Sequence, residues 1–194
     1  ARLSDFLQKY PDVQVDLQLN DHLQDMVSEG LDVTLRIGEL RDSGLIARQI
    51  GTTHRITLAS PAYLAKHPTP KTPQDLNQHN CLLFNLLSSQ NQWVYEKNGT
   101  RHSVRISGNA QSNNSEAVRE MVLTGLGIAL SPLWLFHDDL KAGRVIALLQ
   151  DYTPQPLPIH AVSAPNRRQS ARVKAFVDYM ADALAQAPEL QAVK

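Results

Sequence analysis

The sequence predicts an α/β chain folded as two lobes, the first discontinuous and the second inserted into it. Three observations carry this: strand, helix and strand follow one another near the start, the middle is rich in hairpin-like strands, and a return strand with a long helix closes the chain. With 194 residues and 42% apolar content, the chain can bury a core as one large domain or as two lobes of about 80 to 100 residues each. The expected division is residues 1–60 with 160–194 for lobe I, and 61–159 for lobe II.

Leu3, Phe6, Leu7 and Tyr10 fall at helical spacing before Pro11. In QVDLQL, residues 14–19, and the Val13 before it, apolar residues alternate as in a strand. Asn20 and Asp21 then offer N-caps for a helix using Leu23, Met26 and Val27, and Gly30 closes it. Leu31, Val33, Leu35 and Ile37 alternate with Asp32, Thr34 and Arg36 in a second strand that stops at Gly38. Two strands around one helix predict a parallel βαβ unit with a right-handed crossover.

HRITLA, residues 54–59, reads as a strand, and Ser60 with Pro61 as the start of a helix. PTPKTPQDLNQHN, with a short helix from Thr72, is the candidate connector between lobes. Beyond it CLLF reads as a strand, and QWVYEKNGTRHSVRIS as a hairpin turning at Asn98 and Gly99, the type I′ signal. Asn113 stands three residues before Glu116, the capping-box spacing, and opens a helix expected to end at Thr124. IAL stops at Ser131 and Pro132, PLWLFHDDL predicts a helix, and RVIALL and PIHAVSA predict strands. From Ser170 a final helix carries Val173, Phe176, Val177, Met180 and Leu184 on one face.

Composition excludes several functions. Lys plus Arg and Asp plus Glu number 19 each, and no basic run occurs, so this segment lacks the electrostatic footprint of a nucleic-acid binder. One cysteine, Cys81, forbids an intrachain disulfide and fits a reducing compartment. No apolar run reaches the length of a membrane span, and the N-terminus does not read as a signal peptide, so a cytoplasmic location is expected.

No organised catalytic or metal motif is present. The seven histidines are scattered without HExxH or cysteine-histidine spacing, so no metal is expected. His137 with Asp138 and Asp139 reads as an exposed helix end. Cys81 in CLLF reads as a small buried hydrophobe rather than a nucleophile. TGLGIALSP runs from helix to strand, the reverse of a phosphate loop. What remains is a set of polar helix starts that follow strands: Asn20 with Asp21, Ser60, Asn113 to Ser115, and Ser131. Helix N-termini carry unpaired N–H groups and partial positive potential, so converging ends would hold a small anion; a simple cap is the alternative at each. Arg36 likewise reaches either a ligand anion or a neighbouring carboxylate.

FLQKYPDVQVDLQLND, EGLDVTLRIGELRDSGLIARQI, LASPAYLAKHPTPKTPQDLNQHNCLLF and AVREMVLTGLGIALSPLW, in this order, resemble the effector-binding domain of LysR-type transcriptional regulators. The resemblance covers nearly the whole chain. It implies a two-lobed fold like that of type II periplasmic binding proteins, with an effector cleft between lobes and no enzymatic activity or cofactor. The cleft residues it implies are Asn20, Arg36, Gly38, Ser60, Phe84, Asn85, Asn113, Asn114, Ser115, Ser131 and Pro132. The implied partners are a small-molecule effector, with a carboxylate or an aromatic metabolite as the candidate classes, and further copies of the chain in a dimer or tetramer. Those dimers would pair the first helix and the strand from Val13 to Leu19 with the other subunit's second lobe, the helix from Ser115 to Thr124 facing that first helix. DNA would be contacted only through a helix-turn-helix domain preceding this segment, and no membrane is involved.

One departure stands out: domains of this family normally begin with a strand and a polar loop ahead of the helix that starts here at Ala1. If the chain truly begins at Ala1, the neighbouring backbone groups of lobe I need other partners, so the expectation is either that the strand lies upstream of Ala1 or that another chain supplies one. The alternative readings are a periplasmic solute-binding protein of the same architecture and a deaminase-like enzyme on this fold. A helix-turn-helix upstream rules out the first; the second requires an acid or base in the cleft.

Overall fold

The computed structural model describes residues 2–19, 26, 29–40, 45–86, 91–164, 170–187 and 190. Its strands in chain order are β1 (Thr34–Ile37), β2 (Ile46–Thr53), β3 (Arg55–Ala59), β4 (Cys81–Phe84), β5 (Gln92–Lys97), β6 (Thr100–Arg105), β7 (Gln111–Ser112), β8 (Ile128–Pro132), β9 (Ile146–Leu148), β10 (Thr153–Pro154) and β11 (Leu157–Ser163). Its α-helices are α1 (Arg2–Lys9), α2 (Pro61–Leu64), α3 (Ser115–Leu123), α4 (Leu133–Lys141) and α5 (Ala171–Ala185), with a 3-10 helix at Pro73–Gln78. The chain divides into two compact units, Ala1–Thr52 with Leu157–Pro188, and Thr53–Pro156 with Glu189–Lys194.

In the first unit the sheet runs β1-β11-β2. β1 lies antiparallel to β11, with Thr34 opposite Val162 and Arg36 opposite His160. Helix α5 covers β2 and β11, because a methyl group on Gly51 would meet Leu184 and Ile159 at 3.5 to 3.7 Å. Phe6 of α1 is fully buried and meets Phe176 edge-on at 5.3 Å between ring centroids and Tyr179 at 5.2 Å. Arg48 of β2 pairs with Asp178 of α5.

The expected βαβ unit is not seen here. Val13–Leu19 form no strand among the described residues, and Leu17 and Leu19 are 63% and 87% exposed. Most of the expected intervening helix, residues 20–25, 27 and 28, lies outside the described residues, although Met26 is buried. The strand after Gly30 is shorter than its alternation, and its apolar residues Leu35 and Ile37 are about two-fifths exposed, at 42% and 41%. Alternation is a local property, whereas a strand exists only where a neighbour accepts its hydrogen bonds, and its direction is not written in the period.

The second unit is built on a five-stranded sheet in the order β7-β4-β8-β3-β9. Here the parallel pairs occur: β4 with β7 and β4 with β8. Successive residues of the central strands feed opposite cores. Ala59, Cys81, Leu83, Ile128 and Leu130 pack with Tyr63, Trp93, Tyr95 and Val104 on one face. Leu58, Leu82 and Ala129 pack with Val118, Val122, Leu135 and Phe136 of α3 and α4 on the other. That two-sided burial explains why CLLF and IAL are continuously apolar rather than alternating.

The hairpin β5–β6 turns at Asn98 and Gly99, both at positive φ (51° and 74°), as the type I′ turn requires. The proline-rich stretch before β4 does not link the units. It lies inside the second one, where Thr72 and Asp75 form a capping box on the 3-10 helix. Residues 53–60 also sit with the second unit, because β3 is hydrogen-bonded to β8 and β9.

Two sequence expectations about polar side chains change. Asp139 is not at an exposed helix end but 1% exposed, its carboxylate accepting from Arg119 Nε and Nη2 at 2.6 and 3.0 Å and from Arg144 Nε at 2.6 Å. Ser131 is not an N-cap: it is buried within β8, α4 is capped at Pro132 without a side-chain bond, and Leu133 N–H donates to His54 O at 2.9 Å.

Candidate functional site

Parallel pairing sets which residues can act together. Leu83 and Phe84 lie beside Gln111 and Ser112, and Cys81 and Leu82 beside Ile128 and Ala129. The carboxyl ends of β4, β7 and β8 therefore share one edge of the second unit's sheet, the edge at which α/β sheets present ligand sites. Phe84 and Asn85, Asn113 to Ser115, and Ser131 with Pro132 all belong to it. β3 runs antiparallel to β8, with Arg55 opposite Pro132, so residues at its start share that edge as well.

Ser60 does not converge with them. It follows the carboxyl end of β3 and so lies at the opposite edge, buried, with its Oγ accepting from Tyr63 N–H at 3.4 Å as the cap of α2. Arg36 and Gly38 belong to the first unit, at the carboxyl end of β1. Gly38 has φ of 110° and donates its N–H to Pro158 O at 2.9 Å, a conformation that favours glycine. Asn20 lies outside the described residues.

The α3 entrance is held by side-chain hydrogen bonds. Asn114, one residue later than the capping-box spacing predicts, is the N-cap: its Oδ1 accepts from Ala117 N–H at 2.9 Å, and its own N–H donates to Ser112 Oγ at 3.0 Å. Such a cap stabilises a helix by about 1 kcal/mol. Asn85 N–H donates to Ser112 O at 3.0 Å, tying the β4 exit to the same turn. At the start of β3, Arg55 donates from Nε to Gln155 O at 2.9 Å, and burial lowers its pKa from the ordinary guanidinium value. Arg55 and Arg105, discussed below, carry no motif signal, since a lone arginine in a strand is indistinguishable from any surface cation.

Cys81, Tyr63, His79 and Tyr95, whose pKa values are shifted, are all buried in the second unit. Cys81 is fully buried, its Sγ donates towards Leu76 O at 3.6 Å, and burial pushes its thiol up to about 12, so it is not a thiolate at neutral pH. Tyr95, hydrogen-bonded to Thr57 Oγ1 at 2.9 Å, is also raised by burial. Tyr63 OH lies 3.2 Å from His79 Nδ1 and accepts from Asn80 N–H at 3.1 Å. Burial is the main cause that lowers the His79 pKa and raises that of Tyr63. Tyr63, Cys81 and Tyr95 share one buried core cluster, with His79 beside Tyr63, and Tyr95 also feels the charge of Arg55 at the start of β3. Among the described residues, no three His, Cys, Asp or Glu side chains gather as metal ligands, and no helix is long and apolar enough to cross a membrane.

The family model described as the LysR substrate binding domain matches residues 1–185. The chain belongs to this family. An uncharacterized HTH-type transcriptional regulator of Haemophilus influenzae is 39% identical over 86% of this LysR-type domain and 57% of the relative. The solved structure of the regulatory domain of CrgA, a LysR-type transcriptional regulator from Neisseria meningitidis, superposes with a TM-score of 0.79 at 30% identity, covering 94% of this chain and 89% of that one. Full-length AphB, a Vibrio cholerae virulence activator, matches with a TM-score of 0.75 at 29% identity, over 94% of this chain and 62% of its own. The domain thus spans somewhat more than half the length of the curated relatives, 57%, 56% and 59% of the first three. The α/β, periplasmic-binding-protein-like architecture expected from the sequence is the architecture of these neighbours.

Proposed function

We propose that this domain senses a small effector for a transcriptional regulator, and that the polar edge formed by Phe84, Asn85, Asn113 to Ser115, Ser131 and Pro132 supplies effector contacts. The carrying observation is that three parallel strands and the capped start of α3 bring these residues to one sheet edge, in a chain of the LysR substrate binding family. Arg36 and Gly38, at the carboxyl end of β1, are proposed as effector contacts in their own unit. The relatives are transcriptional regulators, which favours a cytoplasmic sensor over a transport protein or an enzyme. In the parent protein, DNA contact would fall to a segment outside this domain, and self-association into dimers or tetramers would relay the signal.

An effector acts only through differential affinity. A 100-fold preference for one arrangement of the regulator supplies about 2.7 kcal/mol, and equal affinity shifts nothing. The test is a screen of small acids, aromatic acids and neutral metabolites on the full-length regulator, read as thermal stability and as output from a target promoter. A true effector near 100 times its Kd is expected to raise Tm by about 5 to 10 °C and to change transcription. Asn85→Ala is expected to blunt the response without lowering the Tm of the unliganded protein. If no compound changes either readout, the sensor reading is wrong.

A further inference from the structure

A cavity of about 470 Å³ opens on the second unit where the exit of β4 faces the open end of the β5–β6 hairpin. Its polar lining is Asn85, Asn91, Gln92, Arg105 and Gln111, with the ring of Phe84 as an apolar wall. This volume lies within the range of small-molecule sites, about 300 to 1,000 Å³.

The walls are held by the backbone. Gln92 stands directly opposite Arg105 in the hairpin, so both side chains lie on one face, while the next pair, Trp93 and Val104, is buried on the other. Asn91 O accepts from Ile106 N–H at 2.8 Å, which closes the hairpin base beneath them. Across the cavity, Gln111 is fixed in parallel register beside Leu83, and Asn85 N–H is bonded to Ser112 O.

Among the described residues, this lining holds one guanidinium, four carboxamides and no carboxylate. Arg48, Arg119 and Arg144 each form ion pairs, whereas Arg105 forms none with the described residues. A guanidinium offers a planar fork of donors that matches a carboxylate in bidentate geometry, and carboxamides both donate to and accept from hydroxyl or carbonyl groups.

We propose that this cavity binds a small carboxylate carrying a second hydrogen-bonding group, with Arg105 holding the carboxylate and the surrounding amides selecting the remainder. The proposal names a ligand class for the effector reading, and rests on it only for the step from occupancy to transcription.

Titration calorimetry of the full-length regulator with lactate, succinate and glutarate, each beside its neutral amide, tests the binding directly. At least one carboxylate is expected to bind, with its amide at least about 10-fold weaker. Arg105→Gln is expected to weaken that carboxylate about 10- to 100-fold and leave the amide unchanged, and Arg105→Lys to recover part of the loss. The wild-type comparison of acid with amide stands even if a variant folds poorly. Carboxylate binding that survives Arg105→Gln but is lost in Arg36→Ala overturns the Arg105 site while sustaining the sensor reading. Absence of binding by all three carboxylates, with a neutral compound still changing promoter output, overturns the carboxylate class alone. Absence of both removes the two proposals together.

Discussion

Replacing Arg119 by alanine is expected to destabilise the second unit by about 3 to 5 kcal/mol, more than replacing Asp139 by alanine. The asymmetry follows from burial. Without Arg119, the Asp139 carboxylate, 1% exposed, keeps only Arg144 as a charged partner. Without Asp139, the side chains of Arg119 and Arg144 are 24% and 51% exposed and can hydrate, so about 1 to 3 kcal/mol is expected. Arg119→Met combined with Asp139→Leu is expected to cost less than Arg119→Ala, because the buried carboxylate that loses one of its two guanidinium partners is removed as well. Urea unfolding of the four proteins measures this order; a loss in Arg119→Ala no larger than in Asp139→Ala refutes it.

The same cluster fixes a pH dependence. Burial pushes the Asp139 carboxyl upward, but the hydrogen bonds and charges of Arg119 and Arg144 outweigh it and hold the group below the ordinary carboxylate value. A depressed folded-state pKa means that its stabilisation is complete above about pH 4 and is lost as the pH falls through the lower folded value. The stability gap between the wild type and Asp139→Ala should therefore narrow on acidification below pH 4.

Gly108→Ala is expected to cost about 3 kcal/mol or more, at the top of the range for overpacking. A methyl group there would sit 1.9 Å from the carbonyl oxygen of Cys81 and 2.8 Å from its carbonyl carbon, both backbone atoms. They cannot withdraw freely, because Cys81 N–H donates to Ser107 O at 2.9 Å and Leu83 N–H to Ala110 O at 3.2 Å on either side. Gly99→Ala makes the useful contrast. Its φ is 74° and nothing lies within 4 Å of the added methyl, so it bears only the left-handed backbone cost of about 1 to 2 kcal/mol. Equal losses in the two variants would show that the segment at Gly108 yields.

Much of the second unit is legible in the sequence because its signals are local. Asn98 with Gly99 specifies a turn by conformation alone, and Ser60 with Pro61 and Thr72 with Asp75 specify helix starts by a hydrogen bond a few residues away. Ser131 resembles these chemically, yet the following helix is satisfied instead by His54 O, a partner 79 positions distant in the chain. β2 carries no clean alternation in IARQIGTT and is held by its place beside β11, so periodicity passes over it. Asp139 looks like one of two equivalent acids after His137, and only the packing of α3 on α4 sends it inward. Of the site, the sheet-edge residues of the second unit are readable as strand ends. Arg105 is not, because its place in the cavity lining depends on which strand exit the hairpin faces.

Cys81 gives the molecule a built-in clock. It is the chain's single thiol, closed off within the core of the second unit and protonated at neutral pH. A soluble thiol reagent can reach it only when that unit opens, so labelling under native conditions follows the open population, and follows the opening rate where the reagent outpaces reclosing. Slower labelling with a bound effector would then report, without an added probe, how firmly the effector holds the second unit shut.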